Sequence, residues 1–352
     1  MPTWVGDAVM ATPTLRSLRA GFPDAQFIGV MRPVIADLLA GNRLLDEHLP
    51  LNKKQRLKLI FALRAAKLDV MVLLTNSLWT AAVSRLAGVK RIVGYNRDAR
   101  GWLLTDRVAV PKTESNNPHQ SRHNTPQKNK HVHTTPAIDY YLALAEHMGC
   151  EVEDRRSELS ITAAEAKLAD ALWHQCQFDP NATTIVLNSN SATDVSRLWP
   201  AEKISQLATQ LAENHGYQVL LHCGPAEREM ANSLAAKVNH PLVASMGRTQ
   251  ELPIGLTKAV LARAAAVVST DSGPRHIAVA LNRPVISLFG PTDPASTRTY
   301  NLTETILSVD LACRPCYAKS CPFQHGQCMQ DISVHSVVQA IQSLRLQSAR
   351  AA

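Results

Sequence analysis

The chain has 352 residues, 45% hydrophobic and 19% charged, enough for about two domains with cores of their own. The formal net charge of +8 favours anionic partners: sugar nucleotides, an acidic membrane surface or nucleic acid. Aromatic content of 5%, without a zinc-finger or RNA-binding signature, makes nucleic acid the weaker of these. No apolar run reaches the ~18 residues that span a bilayer, nothing at the start reads as an export signal, and seven cysteines do not suit a disulfide framework. A cytoplasmic protein with free thiols is expected.

The first elements alternate. Residues 7–20 carry Val9, Met10, Leu15 and Leu18 at three- and four-residue spacings and predict an amphipathic helix. A strand over 26–31, a helix over 34–39, a strand over 49–51, a helix over 56–67 and a strand over 69–74 follow. Asn76 and Ser77 predict the cap of a helix running to Leu86, and 91–95 the next strand. Strands separated by helices imply a parallel sheet covered on both faces. Between 112 and 135 large apolar residues almost vanish, which predicts a surface loop. Its histidines His119, His123, His131 and His133 match no compact metal-ligand spacing.

A helix over 137–148 and a charged crossover over 151–162 close the first half. The second half repeats the pattern: helix 163–176, strand 184–187, helix 202–214, strand 218–221, helix 226–238 and helix 257–265. The expected architecture is α/β, two Rossmann-like domains over 1–155 and 156–330 and a C-terminal helix over 331–352, with ligand in the cleft beyond the carboxyl ends of the strands.

The stretch that organises the chain runs from Val267 to Ala280: an apolar run, a polar turn of Thr270, Asp271, Ser272 and Gly273, then an Ala-rich segment holding His276. Strand, turn and helix start make an anion site, because free N–H groups and the positive end of the macrodipole meet there. Gly273 lets a phosphate come close, Asp271 or Ser272 can cap the helix, and His276 can hydrogen-bond a phosphate or sugar oxygen. A capped helix with a core histidine shows the same pattern.

Asp271-Ser272-Gly273-Pro274 with His276, followed by Phe289-Gly290-Pro291-Thr292-Asp293-Pro294, resembles the donor-binding signature of the lipopolysaccharide heptosyltransferases, glycosyltransferase family nine. Trp4-Val5-Gly6-Asp7-Ala8-Val9 resembles the N-terminal loop of that family. The run from Gly94 to Asp106 and the cysteines Cys313, Cys316, Cys321 and Cys328 resemble segments of its heptosyltransferase II branch. The family opens with a β-strand ahead of the Trp-Val-Gly-Asp loop. That strand is missing from this sequence, so the first sheet is expected to lack it and to expose apolar surface and unpaired backbone.

The resemblance implies a GT-B type inverting transferase that moves L-glycero-D-manno-heptose from ADP-heptose to the inner-core heptose of lipopolysaccharide, at the inner face of the inner membrane. It implies Asp7 as general base, with Gly6 beside it admitting the donor sugar, and Arg197 standing where a lysine neutralises the leaving diphosphate. It implies hydroxyls from Ser189, Ser191 and Thr193 on the donor, and Glu227 or Glu229 on the ribose; Asp271, Ser272, Gly273 and His276 complete the donor site. No cofactor or metal is implied, although four clustered cysteines also have the density of a zinc site. The alternatives on the same scaffold are another inner-core heptosyltransferase, a sugar-nucleotide epimerase, and a non-catalytic nucleotide-binding module.

Overall fold

A computed structural model describes residues 1–51, 56–111, 135–188, 195–301 and 303–344. The polar loop with its four histidines, and the turn holding Ser189, Ser191 and Thr193, lie outside the described residues.

The first half opens with α1 (Val5–Met10) and α2 (Thr12–Gly21), two helices where one was expected. Pro13 in the first turn of α2 lacks an N–H to continue the α1 ladder, and the Thr12 hydroxyl bonds back to the Val9 carbonyl at 2.8 Å. There follow β1 (Ile28–Met31), α3 (Pro33–Leu39), β2 (Glu47–Pro50), α4 (Arg56–Ala65), β3 (Val70–Leu73), α5 (Leu78–Leu86), β4 (Arg91–Tyr95), β5 (Asp106–Val108) and α6 (Ala137–His147). Ser77 caps α5, its hydroxyl accepting from the Thr80 N–H at 3.2 Å. The strands pair in parallel but fall into two separate sheets, β1 with β2 and β3-β4-β5. Among the described residues the break lies between β1 and β3.

The second half is continuous. After the crossover come α7 (Ala163–Cys176), β6 (Thr184–Asn188), α8 (Ala201–His215), β7 (Gln218–Leu221), α9 (Arg228–Val238), β8 (Val243–Ser245), α10 (Ile254–Arg263), β9 (Ala266–Thr270), α11 (Gly273–Ala280), β10 (Val285–Phe289), β11 (Glu304–Ser308), α12 (Gln327–Gln330) and α13 (Val334–Ser343). Its sheet runs β11-β10-β9-β6-β7-β8, every pair parallel. Strands β6, β7, β9 and β10 are buried along their whole length, as a sheet with helices on both faces requires. β5, β8 and β11 were not expected; they are three to five residues long and carry little periodicity.

The halves are joined by more than the crossover. An apolar cluster runs from Ala8, Ile35 and Leu142 of the first half to Leu172, Val260 and Ile277 of the second. Lys258 on α10, fully buried, pairs with Glu165 at 2.9 Å and donates to the Ala40 carbonyl at the end of α3 at 2.8 Å. Glu165 also closes a capping box with Thr162 at the start of α7. The cation at the junction thus has its charge paired and two of its three protons accepted.

Candidate active site

In the second sheet, register brings the carboxyl ends of four strands level: Leu187 lies beside Leu221, Asn188 beside Ser269, and Leu288 beside Thr270. Polar residues collect there. Asn188 donates to the hydroxyls of Ser269 (3.0 Å) and Ser272 (2.9 Å), and its carbonyl oxygen lies 3.0 Å from Nδ1 of His222. With the Asn188 amide nitrogen committed to the two serines, Nδ1 of His222 must donate, leaving Nε2 to accept from the Thr257 hydroxyl at 3.1 Å. Burial lowers the His222 pKa to about 4, so the ring is neutral and this assignment holds near pH 7.

Ser272 occupies the N-cap of α11 but its side chain caps nothing: it accepts from Asn188 and donates to the Thr270 carbonyl. Asp271 does not cap the helix either. It is buried, 4% exposed, and its carboxylate accepts from Thr292 (2.9 Å), Thr297 (3.3 Å) and Arg275 (3.5 Å), with Arg197 at 3.4 Å. A carboxylate so occupied, and of the same sign as a diphosphate, is an anchor for cations. Its work is to hold Arg197, which also donates to the Asp271 carbonyl at 2.9 Å.

Arg275 was overlooked in the sequence, where it fills the unread position between Pro274 and His276. It is fully buried, pairs with Glu304 at 2.7 Å, donates to Ser287 and to the Thr297 carbonyl at 3.1 Å, and lies over the Phe289 ring at 4.8 Å. Burial pushes the Glu304 carboxyl up, but Arg275 and the hydroxyls of Ser287 and Thr299 outweigh it and hold the group below its ordinary range. The i,i+4 spacing from Asp271 to Arg275 was the available signal. His276 beside it is 5% exposed, with Nε2 at 3.4 Å from Arg275. Burial first, then the Arg275 charge, lowers its pKa to about 4, so it is a neutral imidazole.

From the first half, α1 approaches α11 directly. A β-carbon on Gly6 would lie 3.0 Å from the His276 ring, and one on Gly273 would lie 3.3 Å from the Val5 side chain. Both glycines therefore serve the contact between the two helices, and a side chain at either position meets the opposite half before it meets a ligand. Asp7, in the first turn of α1, is half-buried and is not the cap; that position is Trp4. Burial pushes the Asp7 carboxyl above its ordinary range and Asp271 adds to this, while the Tyr141 hydroxyl, donating at 3.4 Å, opposes it. Tyr141 sits on α6, whose Asp139 is bonded across the halves by the Tyr300 hydroxyl.

Glu227 and Glu229 stand apart. Glu227 turns back to accept from the Gly224 N–H at 3.0 Å ahead of α9, and Glu229 is an exposed residue in the first turn of α9. All seven cysteines are free, and among the described residues no group of three histidine, cysteine or acidic side chains is placed to hold a metal. Cys313 lies 3.9 Å from the His325 ring, and Cys321 accepts from the Gly326 N–H.

The sequence profile of glycosyltransferase family 9 (heptosyltransferase) matches residues 56–326, which take in the turn between β9 and α11, Arg197 and the whole six-stranded sheet. The chain belongs to glycosyltransferase family 9. Among curated family 9 proteins, it is 27% identical to lipopolysaccharide heptosyltransferase 2 of Escherichia coli K12, over 98% of this chain and 97% of that one. It is 22% identical to a lipooligosaccharide heptosyltransferase 2 of Campylobacter jejuni over 98% and 97%. The solved structure of the E. coli ADP-heptose LPS heptosyltransferase II superposes with a TM-score of 0.76 at 23% identity, covering 97% of this chain and 96% of that one. A family 9 enzyme from Veillonella parvula superposes at 0.78 with 19% identity, covering 98% and 95%. These likenesses carry the α/β architecture over 97% and 98% of the chain. Among the described residues no helix is long and apolar enough to cross a membrane.

Proposed function

We propose that this family 9 glycosyltransferase moves L-glycero-D-manno-heptose from ADP-heptose to an inner-core heptose of lipopolysaccharide, with inversion. The observation that carries the reading is the meeting of α1 and α11. A carboxylate with a raised pKa stands on one side, and Arg197, His276 and a helix start stand on the other. Lipopolysaccharide and lipooligosaccharide heptosyltransferases 2 among the relatives support the second-heptose position.

In this reading the first half, 1–155, takes the acceptor, and the second, 156–330, takes the donor. Asp7 accepts the proton of the acceptor hydroxyl as that oxygen forms its bond to the anomeric carbon. The bond from that carbon to the β-phosphate oxygen breaks, and its electron pair leaves with ADP. Desolvation makes the Asp7 carboxylate a stronger base than an exposed one, which suits the role. Charge grows on the departing diphosphate, and Arg197, held by Asp271, together with the positive end of α11 stabilises it there. The neutral His276 adds one hydrogen bond. No cofactor enters this scheme. A net charge of +8 suits an enzyme working on an anionic glycolipid at the inner face of the inner membrane.

The test is transfer from ADP-heptose to lipopolysaccharide truncated after its first heptose, with the anomeric configuration of the product read by NMR. The expected product is extended by one heptose of inverted configuration. Donor turnover without acceptor, or no turnover with bound ADP, would transfer the case to an epimerase or a non-catalytic module.

A further inference from the structure

Arg197 sits in the three-residue turn Val195–Arg197, none of whose residues is buried. Apolar packing begins two residues later, where Trp199 is buried and its indole N–H donates to the Ile332 carbonyl at 3.1 Å. The turn itself is held by polar bonds from the stretch that carries the cysteines. Ser196 donates its N–H to the Lys319 carbonyl at 3.1 Å and its hydroxyl to the Ala318 carbonyl. The same stretch grips the loop after β10, where the N–H groups of Cys316 and Tyr317 both donate to the Pro291 carbonyl, at 3.0 and 2.9 Å. Arg314 donates to the carbonyls of Gly290, Thr292 and Val309. That loop also lies against α12: a β-carbon on Gly290 would stand 2.5 Å from the Met329 sulfur. Thr292, fixed in the loop, donates to the Asp271 carboxylate at 2.9 Å, and Asp271 holds Arg197.

We propose that residues 314–319 form a positioning strap for the donor site, with Ser196 and Arg314 as positioning residues that act through Arg197; this rests on the proposed work of Arg197 at the departing diphosphate. The strap reaches the guanidinium by two routes. One is direct, at Ser196 beside it in the chain; the other runs through Pro291 and Thr292 to the Asp271 carboxylate. A cation held in place beforehand loses no freedom as charge develops on the leaving group, so its stabilisation falls on the transition state and appears in kcat. Arg314 suits the task because a planar guanidinium with five donors serves three carbonyls at once. At Cys316 the group engaged is the main-chain N–H, so this part of the cysteine-rich stretch bears on the donor site through its backbone.

The experiment takes Ser196→Ala and Arg314→Met in the full chain, each alone and combined with Arg197→Ala, and measures kcat and donor KM for transfer from ADP-heptose. In the parent background Arg314→Met is expected to lower kcat about tenfold and Ser196→Ala about threefold, with donor KM within about twofold. In the Arg197→Ala background both losses should shrink to within about 1.5-fold, because a residue that acts through another contributes nothing once that one is gone. Amide exchange over 195–198 should quicken about tenfold or more in Arg314→Met, a readout that does not depend on turnover. Losses of equal size in both backgrounds would show a general structural role and overturn the proposal. So would unchanged exchange, or unchanged kcat in both variants. If Arg314→Met does not fold, Ser196→Ala decides alone by the same comparison. Arg197→Ala transferring at the parent's rate would overturn the assignment of Arg197 itself, and the strap's action through it, even where exchange over 195–198 quickens.

Discussion

The two halves of this molecule are built on one plan and end in different states. The second is continuous over six strands with a buried centre, whereas the first is divided between β1 and β3. The chemistry divides along the same line. Charges in the second half are interlocked: Arg275 ties Asp271 to Glu304, and Asp271 in turn holds Arg197. In the first half the Asp7 side chain accepts, among the described residues, one long hydrogen bond, from Tyr141. A saturated network fixes positions and leaves little capacity for a ligand's proton, while a sparsely bonded, desolvated carboxylate keeps that capacity. The difference suits the proposed placing of the base on the first half and of charge stabilisation on the second.

The sharpest way to break that comparison is Asp7→Asn. Turnover should fall about 10²- to 10⁴-fold, the usual worth of a general base, with ADP affinity by titration within a few-fold of the parent. Activity within about tenfold would remove Asp7 from the role. Next in size is Arg275→Met, which leaves Glu304 buried without its cation and Asp271 with Arg197 alone. A loss of about 3–5 kcal/mol in denaturant unfolding is expected; a loss under about 1 kcal/mol would show that the network does not depend on it.

Acid should weaken the second half in particular. His222 and His276 titrate near 4 when folded and at ~6.5 when unfolded. Between those values the unfolded chain binds more protons, so their contribution is complete above ~6.5 and is lost as pH falls toward 4. Asp7 acts in the opposite sense, because its raised pKa means the folded state takes up that proton at higher pH. Unfolding curves across this window should show falling stability, and His222→Gln should flatten part of the slope. An unchanged slope would mean another group supplies it.

Arg197→Ala should lower kcat by about 10- to 100-fold and raise the donor KM less, since its value grows with charge on the leaving ADP. A change in donor KM alone would mean uniform binding instead. The smallest effect belongs to His276→Ala, where the loss of one neutral hydrogen bond costs about 0.5–1.5 kcal/mol in kcat/KM.

The alternation of elements, the strand and turn leading into α11, the cap at Ser77 and the place of Asp7 in the first turn of a helix were legible in the sequence, because each depends on a periodicity or a residue choice within a few positions. What the side chains around that turn do was not. Asp271 reads locally as a cap or phosphate partner, yet Thr292, Thr297 and Arg197, brought in from 21 to 74 residues away, occupy its oxygens. Gly6 and Gly273 read as places for a ligand, yet each faces the other half of the molecule. Even Glu227, offered to a ribose, is taken by an amide three residues back. A sequence determines which groups are available and which local conformations they favour. Only the folding of distant segments against one another decides which of those groups are already engaged, because a hydrogen bond or an ion pair made inside the protein takes up part of that group's capacity for a ligand.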